Sequence, residues 1–493
     1  MEFSMIRIAG HFLSAVNRRR ANNSRTGFRI AALKSVLALS LAVELLATMS
    51  LAGAGAPAAA PDWSAWKHRL PVRLAGLTAP VAKHLPIDVM FTVKARECPD
   101  PKNDIRLLYR FPDGREQEVP FQLSRLRVWD KGADPKTADP TLNGRLTFFD
   151  VSGGEAPGTY FILYGQPRAA APAYSSDLAV TGDKPAWTIS NSRMRVELRK
   201  GDPVKPAILH DVFGDSGQIA AVTLKSRPDV PLTNRDRTLH WNPGILIPER
   251  GWSNAHAWDP PREVEIEAGP VFVEVRRRGP LPLIPEVELA ITYRFFSGRD
   301  YVWYGATLSV KEDVGIVSFR TNELVFDQGF FTRLGWAGEG GVSDRPLGDF
   351  VQANKHGDIL RLPAGAPFLA IYNPDKKVGL ASVNMDYAVV DAWGGTPDVY
   401  DHALFVVSGT VPIGSNGLVF WFRSFFNFAP EWDRRERLIL SAGTVISERS
   451  LYHFFEPAAG APLASVVELD RAVRDLGKLD IQVGPHPFGA APK

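Results

Sequence analysis

The chain has 493 residues, with 57 Lys plus Arg, 54 Asp plus Glu and a single cysteine. Its 45% hydrophobic and 23% charged residues are ordinary globular composition and exclude a disordered or collagen-like chain. A net charge of +3 gives no electrostatic footprint for nucleic acid. The lone Cys98 excludes an internal disulfide framework and any cysteine-cluster zinc or iron–sulfur site.

The first 60 residues differ from the rest. Arg7, Arg18, Arg19, Arg20, Arg25, Arg29 and Lys34 precede an apolar run from Ser35 to Gly53, where Glu44 is the one charged residue. Small residues follow from Ala52 to Ala60. A basic segment, an apolar segment and an A-x-A site are the pattern of a secretory signal peptide, and cleavage is expected after Ala54. The apolar run is also long enough to span a bilayer, so a retained signal anchor is the alternative. Glu2 and Glu44 are the only acids in this leader, and without it the chain moves from +3 to −2. The basicity thus belongs to the export segment, and the expected location is periplasmic or extracellular.

From residue 62 to 174 the pattern is that of strands. Leu85, Ile87, Val89, Phe91 and Val93 alternate with period two. Ile105–Phe111 is a second strand, ended by the turn signal Pro112-Asp113-Gly114. Val119–Leu123, Arg145–Phe149 and Thr159–Tyr164 continue the series. The expectation is a small β-barrel or sandwich. Gln166–Ala173 reads as a Pro/Ala linker.

Residues 186–455 again give many strands of five to ten residues with no alternating helices, which predicts a large antiparallel β-sandwich. In the tail, 456–493, Val466, Val467, Leu469, Val473 and Leu476 have amphipathic helical spacing, so one short C-terminal helix is expected, reaching Lys478. The tail after Gly484 is expected to be disordered. The fold class is therefore all-β, in two domains.

Three groups of phrases carry a family likeness. The first runs from Arg69-Leu70-Pro71-Val72-Arg73-Leu74 through Glu118-Val119-Pro120-Phe121-Gln122 and Leu146-Thr147-Phe148-Phe149 to Gly158–Gly165. The second is Ile189-Ser190-Asn191-Ser192-Arg193-Met194-Arg195-Val196. The third is Glu267-Ala268-Gly269-Pro270-Val271 with Thr292–Gly298 downstream. In this order they resemble the secreted exo-rhamnogalacturonan-lyase-like proteins. That resemblance implies an N-terminal barrel before a galactose-mutarotase-like sandwich, and an activity on polysaccharide. Longer members add a C-terminal helical toroid, for which this chain has no room.

The densest polar and aromatic stretch is His240-Trp241-Asn242-Pro243-Gly244, continuing through Gly251-Trp252-Ser253-Asn254-Ala255-His256-Ala257-Trp258-Asp259. Indole faces suit the apolar faces of sugar rings, and amides and imidazoles suit hydroxyls. The bland alternative is a loop folded back so that its Trp rings are buried. His240, Trp241, Trp252, Asn254, Trp258, Arg294 and Tyr387 are the candidate substrate-binding residues.

A uronate lyase needs a base for the C5 proton, a donor for the leaving oxygen and a cation for the carboxylate. His256 as base, Tyr301 as donor and Arg320 as clamp are the assignments chosen from a pool that also holds His356, His402, Tyr293 and Tyr304. Glu323 with His256 could instead serve a mutarotase. For each of these residues a structural role is the competing account. Gly214-Asp215-Ser216-Gly217 is set aside as a turn, because a serine nucleophile needs its His and Asp. No dedicated metal or cofactor motif occurs, although a calcium held by scattered carbonyls stays open. The leading expectation is an exported polysaccharide lyase cleaving an acidic glycan by β-elimination. The alternatives are a non-catalytic glycan-binding or scaffold protein and a mutarotase-type epimerase. The expected partner is a polysaccharide or oligosaccharide, with no nucleic acid and no membrane beyond an uncleaved leader.

Overall fold

Strand Pro86–Lys94 buries Ile87, Val89, Phe91 and Val93, while Met90 on its other face is 61% exposed. It pairs antiparallel with Thr141–Phe149, which pairs with Phe121–Trp129. In this computed structural model the described residues are 63–129, 139–154, 158–166, 170–200, 217–233, 238–240, 243–255, 261–338, 340–350, 360–362, 366–391, 401–407, 418–427 and 437–484. For 238–240, 360–362, 401–407 and 418–427 the description is of backbone. The leader and the far C-terminus, on which the export signal and the tail expectation rest, lie outside it.

A five-stranded sheet packs on this three-stranded one. Its order is Asp480–Val483, His68–Ala75, Thr159–Tyr164, Arg106–Arg110 and Glu116–Glu118. Ile87, Phe91, Leu107, Leu146, Phe148 and Ile162 fill the space between the two. Among the described residues the sheets are not joined by hydrogen-bonded strands, so the N-terminal unit is an open sandwich rather than a closed barrel. Its first edge comes from the far end of the chain, with Val483 opposite Val72 and Asp480 opposite Ala75.

The large sandwich is built on a nine-stranded antiparallel sheet. Glu263–Ala268, Phe272–Leu281, Ile284–Phe296 and Tyr301–Val310 follow one another. Val445–Phe455 then inserts before Val378–Val390, Phe368–Asn373, Arg333–Gly338 and Gly341–Pro346. A seven-stranded sheet faces it, with Gly251–Asn254, Gly244–Ile247, Ser318–Asp327, Leu418–Asn427, Asp401–Val407 and Leu360–Leu362 in order and Thr238–His240 pairing with Ser318–Asp327. A five-stranded sheet from Ala179–Thr181 to Leu232–Thr233 contributes Ile189, Val196 and Val222 to the same core.

Both faces of the nine-stranded sheet are covered. Val302, Tyr304 and Leu308 point into the sandwich core. Tyr301, Trp303 and Leu451 point the other way, into a second core closed by helices Ala79–His84 and Ala464–Leu476. The C-terminal helix presents Val466, Leu469, Ala472 and Val473 at three- and four-residue spacing, and each large side chain so buried contributes about 1.5–3 kcal/mol. It begins six residues before Asp470 and stops at Leu476.

All three groups of family-like phrases have structural work. Gln122 Oε1 accepts the Phe272 N–H at 2.9 Å, tying the N-terminal sandwich to the large sheet. A Cβ at Gly269 would lie 2.3 Å from Gln122 Cδ, so the Gly-Pro-Val phrase needs its glycine for this approach. Asn191 donates to the carbonyls of Phe296 and Arg299 at 2.7 and 2.6 Å. It also accepts the Arg193 and Met194 N–H groups, each at 2.8 Å.

Candidate functional site

Strand Ser318–Asp327 begins with Phe319 facing the sandwich core and Arg320 facing out. Strict alternation would then turn Leu324 outward. Instead the register shifts between Thr321 and Leu324, and Asn322 takes φ of 48°, in the left-handed region. This bulge reverses the parity of the strand. Leu324 and Phe326 return to the core, and Glu323 falls on the side of Arg320.

The result is a small polar patch on the outward side of the seven-stranded sheet. Arg320 Nη1 is 3.4 Å from Glu323 Oε1. The Arg320 guanidinium carbon lies 4.7 Å from the ring centroid of Trp252, a cation–π distance. Trp252 reaches this side because it pairs with Leu246, between the core-facing Ile245 and Ile247. Asn254 pairs with Gly244, where a Cβ would sit 1.8 Å from its Oδ1. Gly244 therefore makes the room that the Asn254 amide occupies. Glu323 and Asn254 are buried, whereas the Arg320 side chain keeps 17% exposure and can meet a ligand. Four of the residues singled out in the sequence, Arg320, Glu323, Trp252 and Asn254, are thus brought to one surface.

Other candidates lie elsewhere. Tyr301 sits on the far face of the nine-stranded sheet, in the core under the helices. Its hydroxyl donates to the His84 carbonyl at 2.6 Å, and burial pushes the phenol well above its ordinary range. It does not approach Arg320. Arg294 spans the joint between the two sandwiches. It donates to Glu274 Oε2 through Nε and Nη2 at 2.9 and 2.7 Å, and to Asp88 Oδ2 at 3.1 Å. Tyr293 and Tyr304 are buried in the main core, where Tyr304 stacks on Tyr452 with centroids 5.2 Å apart. Burial, followed by the neighbouring Glu448, drives the Tyr304 phenol far up. Tyr387 is half-buried opposite Glu448. His240 stands opposite Leu324 and His402 opposite Arg423 in the backbone register. Trp241, His256, Trp258 and His356 lie outside the described residues, as do residues 214–216 of the Gly-Asp-Ser-Gly phrase.

Sequence reasoning passed over the residues that hold the bulge. Asn322 Nδ2 donates to Ser382 Oγ and Ser450 Oγ, both at 2.9 Å, and its N–H donates to Glu448 Oε1 at 3.1 Å. An asparagine inside a strand pattern was the available signal, because Asn is depleted in strands and tolerates the left-handed conformation. Among the described residues, no group of three or more His, Cys, Asp or Glu side chains is arranged to hold a metal ion. No helix among them is long and apolar enough to cross a membrane.

No protein-family profile and no curated protein matches the sequence. Solved structures give partial likenesses. A glycosyl hydrolase family 38 protein from Enterococcus faecalis aligns with TM-score 0.46 and 12% identity, over 87% of this chain and 48% of its own. An alpha-mannosidase from Enterococcus faecalis V583 gives TM-score 0.45 and 12% identity, over 92% of this chain and 49% of its own. The chain thus spans about half the length of these two proteins. A candidate aldose 1-epimerase from Escherichia coli K12 gives TM-score 0.30 and 9% identity, over 57% of this chain and 99% of its own.

Proposed function

We propose that this chain is an exported carbohydrate-active protein that meets an acidic sugar at the Arg320–Glu323–Trp252–Asn254 surface. The observation that carries the reading is Arg320. It is a partly exposed guanidinium held over an indole and beside a buried carboxylate. A guanidinium matches a sugar carboxylate in a two-bond fork, and the neighbouring indole of Trp252 supplies an apolar face, while the buried Asn254 amide packs beneath. Because the exported chain is close to neutral, local arginines must do the recognising. Loss of a charge-assisted hydrogen bond costs about 2 kcal/mol, or roughly 30-fold in affinity. Titration of the protein with oligogalacturonides and with neutral oligosaccharides tests this. Tighter binding of the acidic series, weakened roughly 30-fold in Arg320→Ala, is the expected result. Equal binding by variant and wild type would remove Arg320 from the site.

A second reading, β-elimination at the same surface, is favoured by the 3.4 Å approach of Glu323 to Arg320. A cation on the sugar carboxylate acidifies the C5 proton, and a carboxylate beside it can accept that proton. Tyr301 is committed to the His84 carbonyl, so the leaving-oxygen donor in this reading is a different group. Ultraviolet absorbance of unsaturated uronate, lost in Glu323→Gln while binding persists, is the expected signature. Binding without any absorbance change would leave a binding protein. Faster anomerisation of a free sugar that depends on Glu323 would instead point to the mutarotase chemistry.

A further inference from the structure

Strand Val445–Phe455 places His453 directly opposite Tyr301, one residue past Asp300. The C-terminal helix starts at Ala464 and brings Ser465 over the same strand end. Ser465 Oγ is 3.1 Å from His453 Nε2, and His453 Nδ1 is 3.3 Å from Asp300 Oδ1. The imidazole is 4% exposed and stacked on the Phe455 ring, with centroids 5.5 Å apart, which fixes its plane. Ser465 itself is exposed. Two adjoining cavities, of about 290 and 250 Å³, are both lined by Ser465, His453, Asp300 and Arg193.

We propose that Ser465, His453 and Asp300 form a second, hydrolytic site that cleaves short-chain carboxylic esters. Strand Val445–Phe455 and the helix that follows it deliver an imidazole and a hydroxyl, and Asp300, about 150 residues earlier, delivers a carboxylate, in the order of a nucleophilic triad. With the hydroxyl donating to Nε2, the ring proton is assigned to Nδ1, which lies 3.3 Å from Asp300 Oδ1 but is not aligned for a hydrogen bond, a contact of the kind that tightens when substrate binds. Burial alone would raise the Asp300 carboxyl, but His453 in its imidazolium form, with Arg193, more than reverses this. A buried base beside an exposed hydroxyl is arranged to act on a molecule arriving from solvent.

The reaction balances without any further group. Ser465 Oγ forms a bond to the acyl carbon as His453 Nε2 takes the hydroxyl proton. The carbonyl oxygen becomes an oxyanion, and the start of the helix offers it donors. Leu463 O takes the Val467 N–H as the first helical acceptor, so the Ser465 and Val466 N–H groups precede the ladder. The ester C–O bond breaks and His453 returns the proton to the leaving alcohol. Water then adds to the acyl-serine by the same route, releasing the carboxylic acid and regenerating Ser465. His453 and Ser465 are the catalytic residues, and Asp300 is a positioning residue. Cavities of this size accept an acetyl-sized group. The site is independent of the Arg320 surface.

The full chain is incubated with p-nitrophenyl acetate, and separately with a fluorophosphonate probe followed by mass spectrometry of the labelled peptide. The expected result is label on Ser465, with turnover that falls at least about 10³-fold in Ser465→Ala. Asp300→Asn should lower kcat about as much with KM unchanged, and slow labelling in parallel. A merely structural Asp300 would not split kcat from KM. Ser465 is exposed, so Ser465→Ala should keep the wild-type melting temperature. If it does not, labelling of the wild-type chain decides the matter alone. Label elsewhere, no label at all, or turnover unchanged in Ser465→Ala overturns the proposal.

Discussion

Tyr452 donates its hydroxyl to Asn322 Oδ1 at 2.8 Å, across the space between the two largest sheets. Tyr452 belongs to the nine-stranded sheet and Asn322 to the seven-stranded one. Ser382, Ser450 and Glu448, also of the nine-stranded sheet, take up the remaining donors of Asn322. A left-handed asparagine costs about 1–3 kcal/mol, and here the opposite sheet holds it in place. The same bulge turns Glu323 towards Arg320, so the outer patch depends on this inner network.

Asn322→Ala should therefore destabilise the protein by about 3–5 kcal/mol, because it strands buried hydroxyls and leaves a strained backbone. Tyr452→Phe should cost only about 1–2 kcal/mol, since one bond is lost and the ring stack with Tyr304 survives. Urea midpoints measure both. Equal, small losses would mean that the bulge is held by backbone geometry instead.

The joint between the two sandwiches rests on a second buried network. Glu274 is 1% exposed and faces Arg294, Arg276 Nε at 3.1 Å and Arg145 Nη2 at 3.5 Å. Asp88, from the N-terminal sandwich, joins Arg294 and Arg145 at 3.1 and 3.6 Å. Burial, then the like charge of Arg294, lowers the Arg145 guanidinium below its usual range. Removing one carboxylate leaves Arg294 and Arg145 sharing a single anion. Glu274→Gln should lose about 3–5 kcal/mol. Asp88→Asn, at a partly exposed site, should lose less. Denaturant midpoints rank the two, and the reverse order would place the anchor on the N-terminal side.

Strand content was legible because strands such as Pro86–Lys94 write their burial as alternation. Burial on both faces was less so. Tyr301 and Trp303 point to one core and Val302 and Tyr304 to another, so that strand has no polar face from which a free hydroxyl could be told apart. Tyr301 offered itself as a donor by type, and packing assigned its hydroxyl to a carbonyl. Arg320 and Glu323 were legible as residues but not as a pair, since their contact needs a parity reversal that alternation forbids. The edge strand Asp480–Val483 gave no signal at four residues, and its partner lies about 400 residues earlier. Nothing local could bring Asp300 to Ser465 and His453, because strand pairing across about 150 residues joins them.

Cys98 stands alone in a chain expected to reach an oxidising compartment. It is 2% exposed, and burial, with Asp104 and Asp100 adding, pushes its thiol up to about 12. The thiolate is the reactive form, so the folded protein should not react with Ellman's reagent at pH 8. One thiol per chain should appear on adding denaturant. Rapid titration of the native protein would show that the N-terminal core opens readily.

Asp470 gives the clearest pH dependence. It is 2% exposed on the C-terminal helix and pairs with Arg474 Nη1 at 2.6 Å. Burial raises its carboxyl from the ordinary 3.8 to about 6, with Arg474 pulling the other way. Between these values the folded chain holds the proton and the unfolded chain has lost it. The stability from this group is therefore complete below pH 4 and is lost as pH rises through 6. A shift of this size amounts to roughly 3 kcal/mol by pH 7.5. Asp470→Asn keeps the neutral form at every pH and gives up only the helical pair with Arg474, worth about 0.3–0.5 kcal/mol. Melting temperatures of wild type and Asp470→Asn should nearly coincide at pH 4, with the variant ahead at pH 7.5. A gap that stays constant across that range would mean that Asp470 is already ionised, held by Arg474, throughout.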